Sequence, residues 1–125
     1  NRFMLAYYPN SIYSDHYGSG TGRLVTSVAS TKGFMLTSRT STTSHRVYQN
    51  QSLINSTTAL SSGGAPASHM YIGGANLSGN SNPPTYYSTA PLGFTTLGDG
   101  LTDYEAKALY WIVQKYQTTL GRQVY

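Results

Sequence analysis

The chain has 125 residues, eight basic and four acidic side chains, a formal charge of +4 and no cysteine. That length fits a single core and no second domain, and the missing thiols exclude disulfides, zinc–thiolate centres and cysteine nucleophiles. The basic residues are scattered from Arg2 to Arg122 rather than gathered into a stripe, which argues against a nucleic-acid partner.

In chain order, 2–8 is apolar enough to be a strand, and its start close to Asn1, a residue other than Met, is what a piece of a longer protein would show. Pro9-Asn10-Ser11 breaks it. Residues 12–17 read as a short aromatic strand or a packed loop, and Gly18-Ser19-Gly20-Thr21-Gly22 as a turn. Leu24, Val25 and Val28 mark a weak strand. Over 33–39, Phe34, Leu36 and Ser38 alternate with Met35, Thr37 and Arg39, so one face of a strand there can be buried.

Residues 40–44 form a polar turn, and 45–49 and 52–55 form a hairpin around Asn50-Gln51. Asn accepts the left-handed conformation of a tight hairpin. Gln51, standing where Gly is usual, points to a turn longer than two residues. A Gly/Pro/Ser loop over 61–67 precedes a short strand at 70–74. Residues 76–88 then make a long polar loop containing Pro83-Pro84 and Tyr86-Tyr87. The last strand falls at 92–97, where Gly93 lets another backbone come close.

The clearest signal follows. Thr102-Asp103-Tyr104-Glu105 is a capping box, with acidic residues where the helix dipole favours them. Leu109, Val113, Tyr116 and Leu120 recur on one helical stripe, and Gly121 stands where a C-terminal glycine belongs. This spacing predicts an amphipathic helix over about 102–120 that packs its stripe on a β body, with Leu109 central to the packing.

Two segments carry a family resemblance. Val47-Tyr48-Gln49-Asn50 after the polar turn resembles a hairpin of laminin-G-like, concanavalin A-like modules, with Gln51 in place of the family's Gly. Residues 97–106 and 113–122 are similar to the terminal segment of laminin-G-like jelly-roll modules in phage and viral structural proteins. The resemblance implies an all-β fold, an antiparallel two-sheet jelly-roll sandwich with one C-terminal helix, forming a single domain over 1–125. It also implies a virion-surface or extracellular setting, other virion or assembly subunits as partners in an oligomer or larger assembly, and adhesion or glycan binding.

The chemistry agrees with a non-catalytic module. Glycan hydrolysis needs two carboxylates facing each other roughly 5–10 Å apart. Of the four available, Asp103 and Glu105 cap the helix, Asp99 belongs to an Asp-Gly turn, and Asp15 stands alone. His16, His45 and His69 lack ligand spacing and read as isolated surface or loop histidines, so no metal site is expected. Gly18–Gly22 lacks the lysine and helix of a phosphate loop, and no cofactor is expected. No apolar run is long enough to enter a membrane.

Sugars are held by aromatic faces with hydrogen-bonding side chains at the edge. Tyr13, His16 and Tyr17 in one loop, and Asn76, Asn82, Tyr86 and Tyr87 in another, supply those groups. The competing expectation is that these tyrosines pack on neighbouring chains, since Tyr is also enriched at protein interfaces. On this reading the chain is a non-catalytic virion-surface adhesion module that binds host glycans; the alternative is a purely structural module that decorates or cements a capsid, tail or other assembly.

Overall fold

The computed structural model describes residues 3–16, 22–60, 70–75 and 86–122. Among them it is mostly β, with two three-stranded antiparallel sheets and a C-terminal helix. The first sheet runs β1 (Phe3–Tyr8), β2 (Ser11–His16) and β3 (Leu24–Ser27); the second runs β4 (Met35–Ser41), β5 (Ser44–Gln49) and β6 (Ser52–Thr57). A two-residue pair, β7 (Gly74–Ala75) with β8 (Tyr86–Tyr87), and the helix α1 (Asp103–Thr119) follow. In both larger sheets every strand pairs with its neighbour in sequence, whereas a jelly roll interleaves distant strands.

The turns explain the registers. Pro9-Asn10 links Tyr8 directly to Ser11, with Asn10 at φ 62°, the combination a type II turn asks for. Asn50-Gln51 links Gln49 to Ser52, and here only Asn50, at φ 55°, is left-handed. The hairpin is thus two residues long, not longer. Positive φ at the first central position alone is the type II′ requirement, which leaves Gln51 an ordinary conformation. Asn50 also seals the start of β4, its N–H donating to the Phe34 carbonyl (2.7 Å) while its Oδ1 accepts from the Phe34 N–H (3.1 Å).

The second sheet is covered on both faces, a consequence of the period-two alternation of β4 and β5. Thr37 and Arg39 of β4, with His45 and Val47 of β5, face the first sheet; Ser38, Arg46 and Tyr48 face α1. The apolar core lies between the sheets: Ile12, Leu24 and Val47 are buried, with Leu5, Val28, Met35 and Ile54 packed around them. Each such side chain contributes about 1.5–3 kcal/mol when fully buried. A bulge sets Val47 against Asn55 and Tyr48 against Leu53, and brings both Ile54 and Asn55 to the first sheet. The Asn55 amide donates to the Val25 carbonyl (3.2 Å) and to Thr26 Oγ1 (2.9 Å).

Helix α1 starts and stops as its sequence dictates. Thr102 Oγ1 accepts from the Glu105 N–H, and the Glu105 carboxylate accepts from the Thr102 N–H at 2.8 Å. At the other end Gly121, at φ 66°, lets Arg122 donate to the Gln117 carbonyl and Gly121 to that of Thr118, a Schellman closure. The buried stripe, however, is Ala106, Tyr110, Val113 and Gln114, rotated from the one expected: Tyr116 and Leu120 are about half exposed and Leu109 is only partly covered. Docking contacts set that rotation. Asp103 accepts from Arg46 (2.7 Å) and Tyr48 (2.5 Å), Ser38 Oγ bonds both the N–H and the carbonyl of Leu101, and Tyr110 packs on Phe34.

Three further expectations are corrected. Residues 92–97 form no strand; Leu92, Phe94 and Leu97 are exposed on an extended connection. Gly93 meets the Gln117 side chain rather than another backbone, its carbonyl accepting from Gln117 Nε2 at 3.1 Å. The close backbone approach is instead at Gly100, whose Hα faces the Arg39 carbonyl so tightly that any Cβ would collide with it. Met70 to Gly73 lie outside a strand, which is confined to Gly74–Ala75.

Candidate functional site

Two sites stand out, one sealed and one open. The sealed one lies in the seam between the sheets. β2 aims Ser14 and His16 at the second sheet; β4 aims Thr37 back, and β5 aims His45. Ser14 Oγ lies 2.8 Å from His45 Nε2 and 2.6 Å from Thr37 Oγ1. Thr37 Oγ1 lies 3.0 Å from His16 Nε2 and 3.1 Å from His45 Nε2. The two imidazoles stack with centroids 4.6 Å apart, so His16 and His45 are neither isolated nor on the surface.

The hydrogen positions follow from the partners. Nδ1 of His45 lies 3.1 Å from the Gly22 carbonyl, which can only accept, so that nitrogen carries the proton and Nε2 is an acceptor. Ser14 then donates to His45, Thr37 donates to Ser14, and His16 Nε2–H donates to Thr37. In this order each hydroxyl both gives and accepts one bond, and both rings are neutral. Burial supports the same state. Desolvation, then the neighbouring His45 and Arg39, push the His16 imidazole down to about 3. Desolvation also lowers His45, opposed by its bond to Gly22.

Ser14, His45 and a backbone carbonyl have the outline of a nucleophile, its base and an orienting group. Ser14 and His45 are both 0% exposed, so no substrate atom reaches the hydroxyl. What the arrangement does is satisfy buried polar groups across the seam, each bond contributing about 0.5–1.5 kcal/mol. Arg39 adds to it, donating to the His16 carbonyl (3.2 Å) and to that of Ala59 (3.2 Å). Asp15, also buried, is paired with Arg23 at 2.8 Å.

The open site is the outer face of α1. Tyr104, Trp111 and Ile112 are 82%, 55% and 65% exposed. Trp111 stacks edge-on against buried Tyr110, which fixes the indole on the surface. Two shallow hollows share it: one toward Tyr104, Lys107 and Ala108, the other toward Gln114, Lys115 and Thr118. Two apolar side chains off the expected stripe were the sequence signal for this face.

Of the residues expected to bind sugar, Tyr13 is half-buried with its ring edge-on to Tyr8 at 4.9 Å, and His16 is turned into the seam. Both belong to β2 rather than a loop. Tyr86 and Tyr87 form β8, paired with Ala75 and Gly74, and Tyr87 is 67% exposed. Tyr17, Asn76 and Asn82 lie outside the described residues, as do His69 and the 18–21 and 61–67 segments. Among the described residues no three His, Asp or Glu side chains gather in a metal-binding group, and no helix is long and apolar enough to cross a membrane. No family matches the chain, and neither curated proteins nor solved structures return a match.

Proposed function

We propose that the protein is a non-catalytic structural module of a larger assembly, one that makes its contacts by covering the outer face of α1 with another protein subunit. The observation that carries this is the exposure of Tyr104, Trp111 and Ile112 on a helix whose opposite face is already docked on the second sheet. Aromatic residues concentrate in the energetic centres of protein interfaces. The virion or extracellular setting, and the jelly-roll form of the complete β body, are proposed on the resemblance of 97–106 and 113–122.

Trp111 is the only tryptophan, so its fluorescence reports on this face directly. Sedimentation velocity and iodide quenching across a concentration series, alone and with candidate assembly subunits, test the reading. Association accompanied by protection of Trp111, and lost in Trp111→Ser, is the expected result. Association that leaves Trp111 equally quenchable overturns it.

A second reading, glycan adhesion, is favoured by one observation: exposed Tyr87 at the end of the polar segment that contains Asn76 and Asn82. It predicts glycan-array binding that Tyr87→Ala abolishes while Trp111→Ser leaves it intact.

A further inference from the structure

We propose that the His16–Thr37–Ser14–His45 chain is an acid-sensitive latch, which holds the two sheets together while its imidazoles are neutral and loosens the seam when they take up protons. The geometry assigns this role independently of what covers α1. The chain crosses the seam three times, at Ser14–Thr37 (2.6 Å), Ser14–His45 (2.8 Å) and His16–Thr37 (3.0 Å).

Its hydrogen order has one sense. The Ser14–Thr37 contact needs a hydrogen between the oxygens, and the Ser14–His45 contact uses the Ser14 proton, so Thr37 donates to Ser14. His16 must then be the donor at the head of the chain and His45 Nε2 the bare acceptor at its tail. A proton arriving from solvent on His45 Nε2 turns that tail into a donor. Ser14 must then donate to Thr37, and Thr37 to His16, whose Nε2 has to be bare. A second proton, on His16, makes both ends donors and leaves the Thr37 hydrogen only the Arg46 carbonyl, a long 3.5 Å away, as its acceptor.

Charge works in the same direction. Two imidazolium rings would stack at 4.6 Å. On β4 the Arg39 guanidinium, bonded to the His16 carbonyl, adds a third cation. The buried carboxylate on β2, Asp15, is already paired with Arg23 from the 22–23 turn. Arg46 of β5 faces away, toward Asp103. Across the ladders His16 is opposed by Phe3 of β1 and His45 by Thr57 of β6, which carry no charge, while on its other side His45 is opposed by Arg39 of β4.

The test is urea denaturation of His69→Gln protein at pH 7.5 and pH 5.5, a window above the carboxylate range. With histidines that titrate normally in the unfolded chain, the folding constant is expected to fall about 10-fold from His16 alone between these values and up to about 100-fold with His45. His16→Gln/His45→Gln, whose amides can still donate and accept, is expected to change less than about threefold over the window. On the folded His69→Gln protein, imidazole ¹⁵N spectra at pH 7.5 are expected to show His45 as the Nδ1–H tautomer and His16 as the Nε2–H tautomer. Stability flat across the window, or folded-state midpoints near the ordinary histidine value, overturns the latch. Should the double variant not fold, the imidazole titration decides alone.

Discussion

Between its sheets the molecule buries Ser14, His16 and His45 and half-buries Thr37; along the outer face of α1 it leaves Tyr104, Trp111 and Ile112 in water. The two regions reverse the usual distribution, for different reasons. A buried polar group is tolerated when its bonds are complete, and the seam completes them with a single ordered chain from His16 to the Gly22 carbonyl. An exposed aromatic costs the folded monomer little, because the unfolded chain exposes it as well. On the two proposals made above, polar burial ties this fold to pH, while apolar exposure ties it to a neighbour.

The comparison can be broken at four points. The largest effect is expected in the apolar part of the seam. Ile12 is fully buried between Leu24 and Val47, and Ile12→Ala should cost about 2–5 kcal/mol by chemical denaturation. If the loss is below 1 kcal/mol, the polar chain rather than the core holds the sheets.

Next comes pH. Both histidines are held below the ordinary value of 6.5 in the fold, His16 at about 3. Below 6.5 the unfolded chain binds protons that the folded one does not. Stability is therefore fully present above 6.5 and falls as pH drops below it, by up to about 1.4 kcal/mol per unit from His16 down toward 3, with His45 adding a loss of the same sign. Denaturation midpoints from pH 8 to pH 5 check the slope.

Thr102→Ala removes the cap of α1 without touching the seam and should cost about 1 kcal/mol. It should not alter the pH slope; if it does, helix docking and the latch are coupled. Trp111→Ser should change monomer stability by no more than about 0.5 kcal/mol while removing self- or hetero-association. A larger loss in thermal melts would make Trp111 part of the core rather than of an interface.

Local chemistry wrote itself plainly into the sequence. The capping box, the Gly121 stop, the Asn50 hairpin and the alternation of 34–39 depend on residues a few positions apart, and all are present in the fold. The resemblance to laminin-G-like modules was an expectation raised by the same segments; among the described residues the strands form two meanders of sequence neighbours.

Tertiary structure alone decided what those elements touch. Alternation identified two faces of β4 but could not foresee that both faces of its sheet would be covered, one by the first sheet and one by α1. The rotation of α1 came from Asp103 meeting Arg46 and Tyr48, more than 50 residues away in sequence. Likewise His16 and His45 look unrelated in a linear reading and stack only because β2 and β5 face each other across the seam. Periodicity and caps are properties of one segment. Contacts between segments depend on how several weak faces are satisfied together, and no single segment records that.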